Sequence, residues 1–98
     1  MKKNLNQILL IIRALMPTLK QEFNVRTLEI FGSYIKKDQK PNSDLDLLVI
    51  FSKTPTLIKF IELENFLSDR IGIKVDLVMK DSVRPRLRSS ILNNAIPV

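Results

Sequence analysis

The sequence predicts a small α/β domain, in which a mixed β-sheet of about three strands carries helices packed on it. Apolar residues recur at helical spacing in two segments, 5–23 and 57–71. Three shorter segments are rich in β-branched and aliphatic residues, as strands are. The chain has 98 residues, a length that suits one domain, so we expect 1–98 to fold as a single unit.

The first predicted helix covers residues 5–23. Pro17 lies inside its apolar pattern, so the helix is expected to kink or break before that residue. The chain start faintly resembles a secretion signal, with two lysines after Met1. Polar residues interrupt the apolar run that follows, no small-residue cleavage site comes after it, and the run is too short to span a membrane. We therefore expect a cytoplasmic protein without a membrane segment.

Two strands are predicted next. Residues 25–31 are β-prone and end at Gly32-Ser33, and residues 34–43 form a polar loop. Residues 44–52 form an almost continuous apolar run after two aspartates, which is typical of a central strand. Because the loop is too short for a crossover helix, these two strands are expected to be antiparallel.

A helix and a third strand follow. Thr54 or Thr56 is expected to cap helix 57–71, and Gly72 to end it. Residues 73–79 form the third strand, which is expected to run parallel to the second because a helix joins the two. A last helix is predicted near 83–95, capped by Asp81 or Ser82. The core face of helix 57–71 is predicted to carry Leu57, Phe60, Ile61, Leu67 and Ile71.

Composition limits the chemistry that is possible. The chain has no cysteine and no histidine, which excludes disulfides, zinc sites and cysteine or histidine catalysis. Any reaction must use carboxylates, hydroxyls, lysine, arginine or the backbone. The formal net charge of +6 favours polyanions as ligands, or else is a solubilising charge spread over the surface.

The sharpest feature is Gly32-Ser33 followed, after ten intervening residues, by Asp44 and Asp46. Strand alternation places the two aspartates on one face, where their carboxylates repel each other unless a cation lies between them. Mg²⁺ prefers oxygen ligands and is usually held by one or two carboxylates and by substrate phosphates. Glycine lets the backbone approach a phosphate closely, and the Ser33 hydroxyl can donate to it.

Asp76 is the third candidate, because it is a lone carboxylate between apolar residues of the third strand. Beside the second strand, it completes a set of three aspartates that can hold two Mg²⁺ ions. Each residue also has a plain structural explanation. Asp44 and Gly32-Ser33 suit turns, and Asp76 at a sheet edge can pair with Lys74 or Lys80. Taken together, the residues favour a metal-dependent phosphate site.

These residues resemble those of the polymerase-beta-type nucleotidyltransferase superfamily. Within it, the chain resembles the minimal nucleotidyltransferases, the MNT half of HEPN/MNT toxin–antitoxin pairs. The resemblance covers nearly the whole chain. Its motifs are Gly32-Ser33, the PNSDLDLLV of residues 41–49, the KVDLV of 74–78, and the RPRLR and ILNNA of 84–88 and 91–95.

The resemblance implies roles for these residues. Asp44 and Asp46 would be Mg²⁺ ligands, and Asp76 the third catalytic carboxylate, which also helps to activate the acceptor. Gly32 and Ser33 would hold the phosphates of ATP. The implied reaction moves AMP from ATP to a hydroxyl, in this branch a tyrosine of a HEPN ribonuclease toxin. The antitoxin silences that toxin and forms a hetero-oligomer with it.

One position departs from the family pattern. Lys37 occupies the place of a glycine that often follows the Gly-Ser pair, so the geometry of this loop is in question. Lys36 and Lys37 either reach the triphosphate or are solvated. A non-catalytic antitoxin that only binds its toxin is therefore the alternative function.

Other features leave two readings open. Tyr34 either stacks on a base or covers the loop. Surplus apolar residues on the two helices form either an exposed patch for a partner or a wide core face; these are Leu10, Ile11, Leu63 and Phe66. Direct nucleic-acid binding is not favoured, because the chain has no helix-turn-helix pattern and a single tyrosine. A basic cluster is a solvated rim or a contact for phosphates or an acidic partner; it comprises Lys80, Arg84, Arg86 and Arg88.

Overall fold

The structure, a computed structural model, describes residues 4–31, 44–82 and 95–98. The helices of this part are α1 (Leu5–Phe23), α2 (Leu57–Ile71) and a 3₁₀ helix (Lys80–Ser82). The strands are β1 (Val25–Phe31), β2 (Leu45–Phe51), β3 (Val75–Met79) and β4 (Ile96–Pro97).

The strands form one mixed sheet in the order β3-β2-β1-β4. β1 pairs antiparallel with β2, and β2 pairs parallel with β3, which confirms both predicted orientations. The short β4 pairs antiparallel with β1 through Glu29 and Ile30 and extends the expected set of about three strands to four. Most of the last helix predicted near 83–95 lies outside the described residues. Asp81 and Ser82, its predicted caps, belong to the 3₁₀ helix.

Helix α1 is continuous from Leu5 to Phe23, so of the expected kink or break before Pro17, the break is wrong. Pro17 is exposed, and the backbone carbonyl that loses its amide partner there can be hydrated instead. Leu19, beyond the proline, is fully buried and holds the last turn in the core. The helix ends at Asn24, whose left-handed conformation (φ 57°) lets its N–H donate to the Leu19 carbonyl.

Helix α2 begins and ends where the sequence predicts. Of the two candidate caps, Thr56 is the one used: its hydroxyl accepts from the Lys59 backbone N–H at 3.2 Å. Gly72 ends the helix with φ 79°, a conformation that costs glycine little. Ile73 and Lys74 then lead into β3, two residues later than the predicted start of that strand.

The cap gives the first testable prediction. Thr56→Ala is expected to destabilise the domain by about 1 kcal/mol and to lower its melting temperature by roughly 4–8 °C, because a backbone N–H of the first turn loses its acceptor. Thr54→Ala is the matched control, since Thr54 is exposed and precedes the cap by two residues. Thermal unfolding followed by circular dichroism measures both. Equal melting temperatures for the two variants would contradict the assignment of the cap.

Both helices pack on the same face of the sheet. An aromatic contact between Phe23 and Phe66, with ring centroids 5.3 Å apart, joins the end of α1 to α2. The buried helix residues in the core are Ile8, Ile12, Leu19, Leu63, Leu67 and Ile71. The strand residues packed against them are Val25, Leu28, Ile30, Leu45, Leu47, Val49, Val75 and Leu77.

The predicted core face of α2 is partly wrong. Leu57 and Ile61 are 74% and 46% exposed, while Leu63, assigned to the surplus apolar residues, is fully buried. The fully buried stripe therefore starts at Leu63, while Phe60 in the first turn is partly buried against the core. On α1, Leu10 is 66% exposed. Neither α1 nor α2 is both long and apolar enough to cross a membrane.

Candidate active site

The face of the sheet opposite the two helices carries the predicted carboxylates, and we call it the far face. On β2 the buried Leu45, Leu47 and Val49 belong to the helix-covered core, so the alternating Asp46 and Leu48 point to the far face. Leu48 is 1% exposed although it is not part of that core, so the far face has buried positions of its own. Asp46 is half-buried beside it.

Asp46 and Asp76 are direct neighbours on adjacent strands. The parallel pairing of β2 with β3 places the two residues opposite each other, and adjacent strands lie about 4.8 Å apart. The Leu45 N–H donates to the Lys74 carbonyl at 2.8 Å, which fixes this register at the start of both strands. On its other side Asp46 is paired with Phe31, the last residue of β1.

The environment of Asp46 disfavours its negative charge. Burial is the main cause, and the carboxylates of Asp76 and Asp44 add repulsion; together they raise the pKa of Asp46 to about 6. A hydrogen bond between the carboxyl groups of Asp46 and Asp76 also favours the protonated form. All three predicted aspartates therefore lie within electrostatic reach of one another at the same end of β2 and β3.

These residues suit a divalent cation that is shared with a phosphate ligand. Within residues 4–31, 44–82 and 95–98, no three acidic side chains converge into a complete metal-binding group. Asp46 and Asp76 form a pair, and their donors are all oxygens. Mg²⁺ is commonly held by one or two carboxylates and the oxygens of substrate phosphates. A cation placed there would also relieve the repulsion that raises the pKa of Asp46. The predicted metal roles stay predictions.

An ion pair between Asp76 and a neighbouring lysine, the plain structural explanation for this residue, is not found in the part of the chain that the structure describes. Lys80, one of its two candidate partners, pairs instead with Glu29 of β1, with Nζ and Oε2 2.9 Å apart. Lys74, the other candidate, forms no salt bridge with Asp76 among these residues. Asp76 is exposed. Its carboxylate is therefore available on the far face beside Asp46.

The pairing of Glu29 with Lys80 is a feature that the sequence analysis missed. Glu29, like Asp76, is a lone acid in an apolar strand, and that signal was available in residues 25–31. The bridge runs from β1 past β2, where Leu48 lies opposite Glu29. The contact is ionic: Oε2 of Glu29 is buried, and no described group forms a well-directed hydrogen bond with it. Lys80 therefore supplies the compensating charge.

Breaking this pair is expected to destabilise the fold. Lys80→Met should lower the free energy of unfolding by about 1–3 kcal/mol, because it leaves the half-buried Glu29 carboxylate without its cation. Adding Glu29→Gln should recover part of the loss, since the uncompensated charge is then removed. Urea unfolding of wild type, both single variants and the double variant measures the coupling. Strictly additive losses would contradict the pairing.

Several predicted residues lie outside the described residues. Gly32 and Ser33, the candidate phosphate-binding pair, are among them. β1 ends at Phe31, the residue immediately before Gly32. Phe31, the last described residue of this segment, is paired with Asp46, so β1 ends beside the aspartates. The other predicted residues outside this part are Tyr34, Lys36, Lys37, Arg84, Arg86 and Arg88.

A cavity of about 400 Å³ lies away from the aspartates. Ile50, which lines it, is four residues from Asp46 along β2, a distance of roughly 13 Å. Glu29 and Lys80 line it too, together with the cationic Lys20 and Arg26. The cavity is therefore separate from the carboxylate pair, although both adjoin the same strand.

Comparison with known proteins finds relatives over nearly the whole chain. A protein from Thermococcus cleftensis, named protein adenylyltransferase MntA, is 40% identical over 94 residues, which cover 96% of this chain and 95% of that protein. A relative from Methanocaldococcus jannaschii is 43% identical over 97 residues, covering 98% of this chain and 99% of the relative; its name, protein adenylyltransferase MJ0128, is provisional.

Solved structures share the fold. One that is provisionally described as a minimal nucleotidyltransferase has a TM-score of 0.81 and 31% identity, and the match covers 98% of this chain and 97% of that one. A toxin–antitoxin complex with AMP-PNP has a TM-score of 0.67 and 27% identity, covering 94% of this chain and 69% of that one. The family model described as polymerase beta, nucleotidyltransferase matches residues 13–98. The resemblance is confirmed: this chain belongs to the polymerase beta nucleotidyltransferase family.

Proposed function

We propose that this protein is a Mg²⁺-dependent protein adenylyltransferase that moves AMP from ATP to a tyrosine hydroxyl of a HEPN-type toxin and so acts as its antitoxin. The observation that carries the proposal is the in-register pair Asp46 and Asp76 on the far face, with Asp44 close enough to repel Asp46. A relative that matches along 96% of this chain is named a protein adenylyltransferase. A toxin–antitoxin complex with AMP-PNP shares the fold. The proposed place of action is the cytoplasm.

The reaction makes one bond and breaks one. The acceptor oxygen bonds to the α-phosphorus of ATP, and the bond from that phosphorus to the oxygen bridging the β-phosphate breaks. The bond's electron pair leaves with pyrophosphate. Asp76 is the proposed acceptor of the hydroxyl proton, because its carboxylate is exposed on the far face and can be reached by a side chain of another protein.

The remaining residues bind and orient the nucleotide. Asp46 and Asp44 would hold the cation through their carboxylate oxygens, and Gly32 and Ser33 are proposed to receive the phosphates. Bound Mg²⁺ would supply the positive charge that neutralises the triphosphate and the aspartates. Transfer at phosphorus needs mainly such positioning and charge neutralisation, so a domain without histidine can perform it.

The test is label transfer. The protein is mixed with Mg²⁺, ATP carrying ³²P at the α-phosphate, and the HEPN-type protein encoded beside it. Asp46→Asn is the site variant. Asp69→Asn is the matched control, because it makes the same chemical change on an exposed residue of α2. Label should appear on the partner with wild type and with the control, and should be absent with the site variant.

A second readout separates the two antitoxin mechanisms. If wild type leaves the partner unlabelled but still forms a stable complex with it and stops its ribonuclease activity, the catalytic proposal is overturned. The protein is then an antitoxin that acts by binding alone. Mass spectrometry of a labelled partner tests the acceptor, and AMP on a residue other than tyrosine would contradict that part of the proposal.

A further inference from the structure

The outer edge of β3 is occupied by side chains of helix α2. Among the described strands, β3 lies at the end of the sheet, so in this part of the chain its backbone has no neighbouring strand on one side. On that side the Val75 N–H donates to Ser68 Oγ at 2.9 Å. The Leu77 N–H donates to Glu64 Oε2, also at 2.9 Å. Two consecutive outward amides of this strand therefore end on α2 rather than on water.

These two amides flank Asp76. The backbone is held by β2 on its inner side, where Asp76 is in register with Asp46, and by α2 on its outer side. A hydrogen bond to a carboxylate is shorter and stronger than one between neutral groups, so Glu64 is the stronger of the two attachments. The residue between them is held from both sides of the strand.

The attachment on α2 is itself rigid. The Ser68 hydroxyl donates to the Glu64 carbonyl at 2.9 Å, so its hydrogen is committed and its lone pair faces the Val75 N–H. The same helix carries Leu63 and Leu67, which are fully buried in the core. The two acceptors for the amides of β3 therefore lie on a helix whose position is set by its packing in the core.

We propose that Glu64 and Ser68 are positioning residues that hold Asp76 opposite Asp46 for catalysis. The inference rests on the proposed function, because the catalytic role proposed there for Asp76 depends on the position of its carboxylate. Groups that orient a metal ligand typically change affinity or activity by 10–100-fold when removed. A displacement of about 1 Å in a reacting group can cost a hundredfold in rate. Glu64 contributes through the backbone of β3 and touches no reacting atom.

The variants separate positioning from stability. Glu64→Leu removes the acceptor, whereas Glu64→Gln keeps an amide oxygen that can receive the Leu77 N–H. Ser68→Ala and Ser68→Thr form a second such pair. Thr56→Ala is the matched control, because it weakens the same helix at its cap without contacting β3. All variants are assayed as full-length protein at a temperature where circular dichroism shows them folded.

Three readouts are compared. Amide hydrogen exchange at Val75 and Leu77 reports the attachment itself. Mn²⁺ binding, followed by electron paramagnetic resonance with a non-hydrolysable ATP analogue present, reports the carboxylate pair. AMP transfer to the partner gives kcat and the KM for ATP separately. A purely stabilising role would change the first readout and the melting temperature only.

The expected result is specific to the acceptor. Glu64→Leu should speed exchange at Leu77, weaken Mn²⁺ binding by about 10-fold or more and lower kcat by a similar factor, with little change in KM. Glu64→Gln should restore most of the binding and the rate, and Thr56→Ala should resemble wild type in both. Ser68→Ala should act in the same direction at Val75.

Two outcomes decide the matter. If exchange at Leu77 rises in Glu64→Leu while Mn²⁺ binding and kcat stay at the wild-type level, the attachment is structural and the proposal is overturned. If wild type binds Mn²⁺ and transfers no AMP, the proposed function fails. Weaker Mn²⁺ binding in Glu64→Leu and its recovery in Glu64→Gln would then still support the positioning of Asp76.

Discussion

Asp46→Asn is expected to give a protein that is more stable than wild type in the absence of divalent ions and inactive in their presence. The folded state raises the pKa of Asp46 to about 6 from its ordinary value of 3.8. Between these values the folded protein holds the proton more tightly than the unfolded chain does. Its free energy of unfolding therefore falls as the pH rises through this window, and the full loss is present above pH 6.

Asparagine carries no charge, so the variant avoids that loss at neutral pH. Because Asp46 is only partly buried, the gain after solvent screening is on the order of 1 kcal/mol, or a few degrees in melting temperature. Melting curves in a chelator at pH 5 and pH 8 test it. The difference between variant and wild type should be larger at pH 8. A variant that is less stable than wild type at pH 8 would contradict the assigned repulsion.

The same substitution should lower AMP transfer by at least about a hundredfold. Removing even a group that merely supports a metal ligand typically costs 10–100-fold, and Asp46 is proposed as a ligand itself. Stability and activity would then change in opposite directions, which rules out misfolding as the cause of the lost activity. Asp69→Asn should change neither quantity. Full activity in Asp46→Asn would remove Asp46 from the site.

Leu47→Ala, one residue further along β2, is expected to have the opposite effect on stability. Leu47 is fully buried on the helix-covered face, between Ile30 of β1 and Leu77 of β3. Truncating a buried leucine costs about 2–5 kcal/mol, because apolar contacts are lost and a cavity remains. In a domain of this size that corresponds to a fall of roughly 10–30 °C in melting temperature.

Leu10→Ala is the matched control for this prediction. Leu10 is 66% exposed on α1, so the same change in side chain removes little buried surface, and its effect should stay within about 0.5 kcal/mol. Urea unfolding of both variants gives the comparison. Similar losses in free energy of unfolding at the two positions would mean that Leu47 does not face the helix-covered core.

Most of the fold could be predicted from local sequence patterns. β1 and α2 have the bounds that the sequence predicts, because apolar spacing, the Thr56 cap and Gly72 act within a few residues. β4 was not predicted, because two residues that include a proline carry no strand signal. Their pairing with β1 depends on tertiary structure. The break expected at Pro17 failed for the same reason, since core packing on both sides of the proline holds α1 together.

The neighbouring positions of Asp46 and Asp76 could be predicted from the sequence, but the contacts that hold their strands could not. Strand alternation was enough to place Asp46 on a face away from the core, and parallel pairing was enough to bring Asp76 beside it. No periodicity indicates that Glu64 and Ser68 receive the amides of β3, because the residues come from different elements. The bridge between Glu29 and Lys80 is equally non-local, since it joins β1 to the 3₁₀ helix.

The two outermost strands also affect how copies of this protein meet one another. Val98 donates its N–H inward to the Leu28 carbonyl, so the alternating position outward is Pro97, which has no N–H to offer. On the opposite side of the sheet, the amides of Val75 and Leu77 are already taken. Pro97, Val75 and Leu77 therefore cannot donate to a strand of another copy, so edge-to-edge pairing would lose hydrogen bonds at both described borders of the sheet. The described edges thus disfavour the open-ended addition of strands by which sheets grow into fibres.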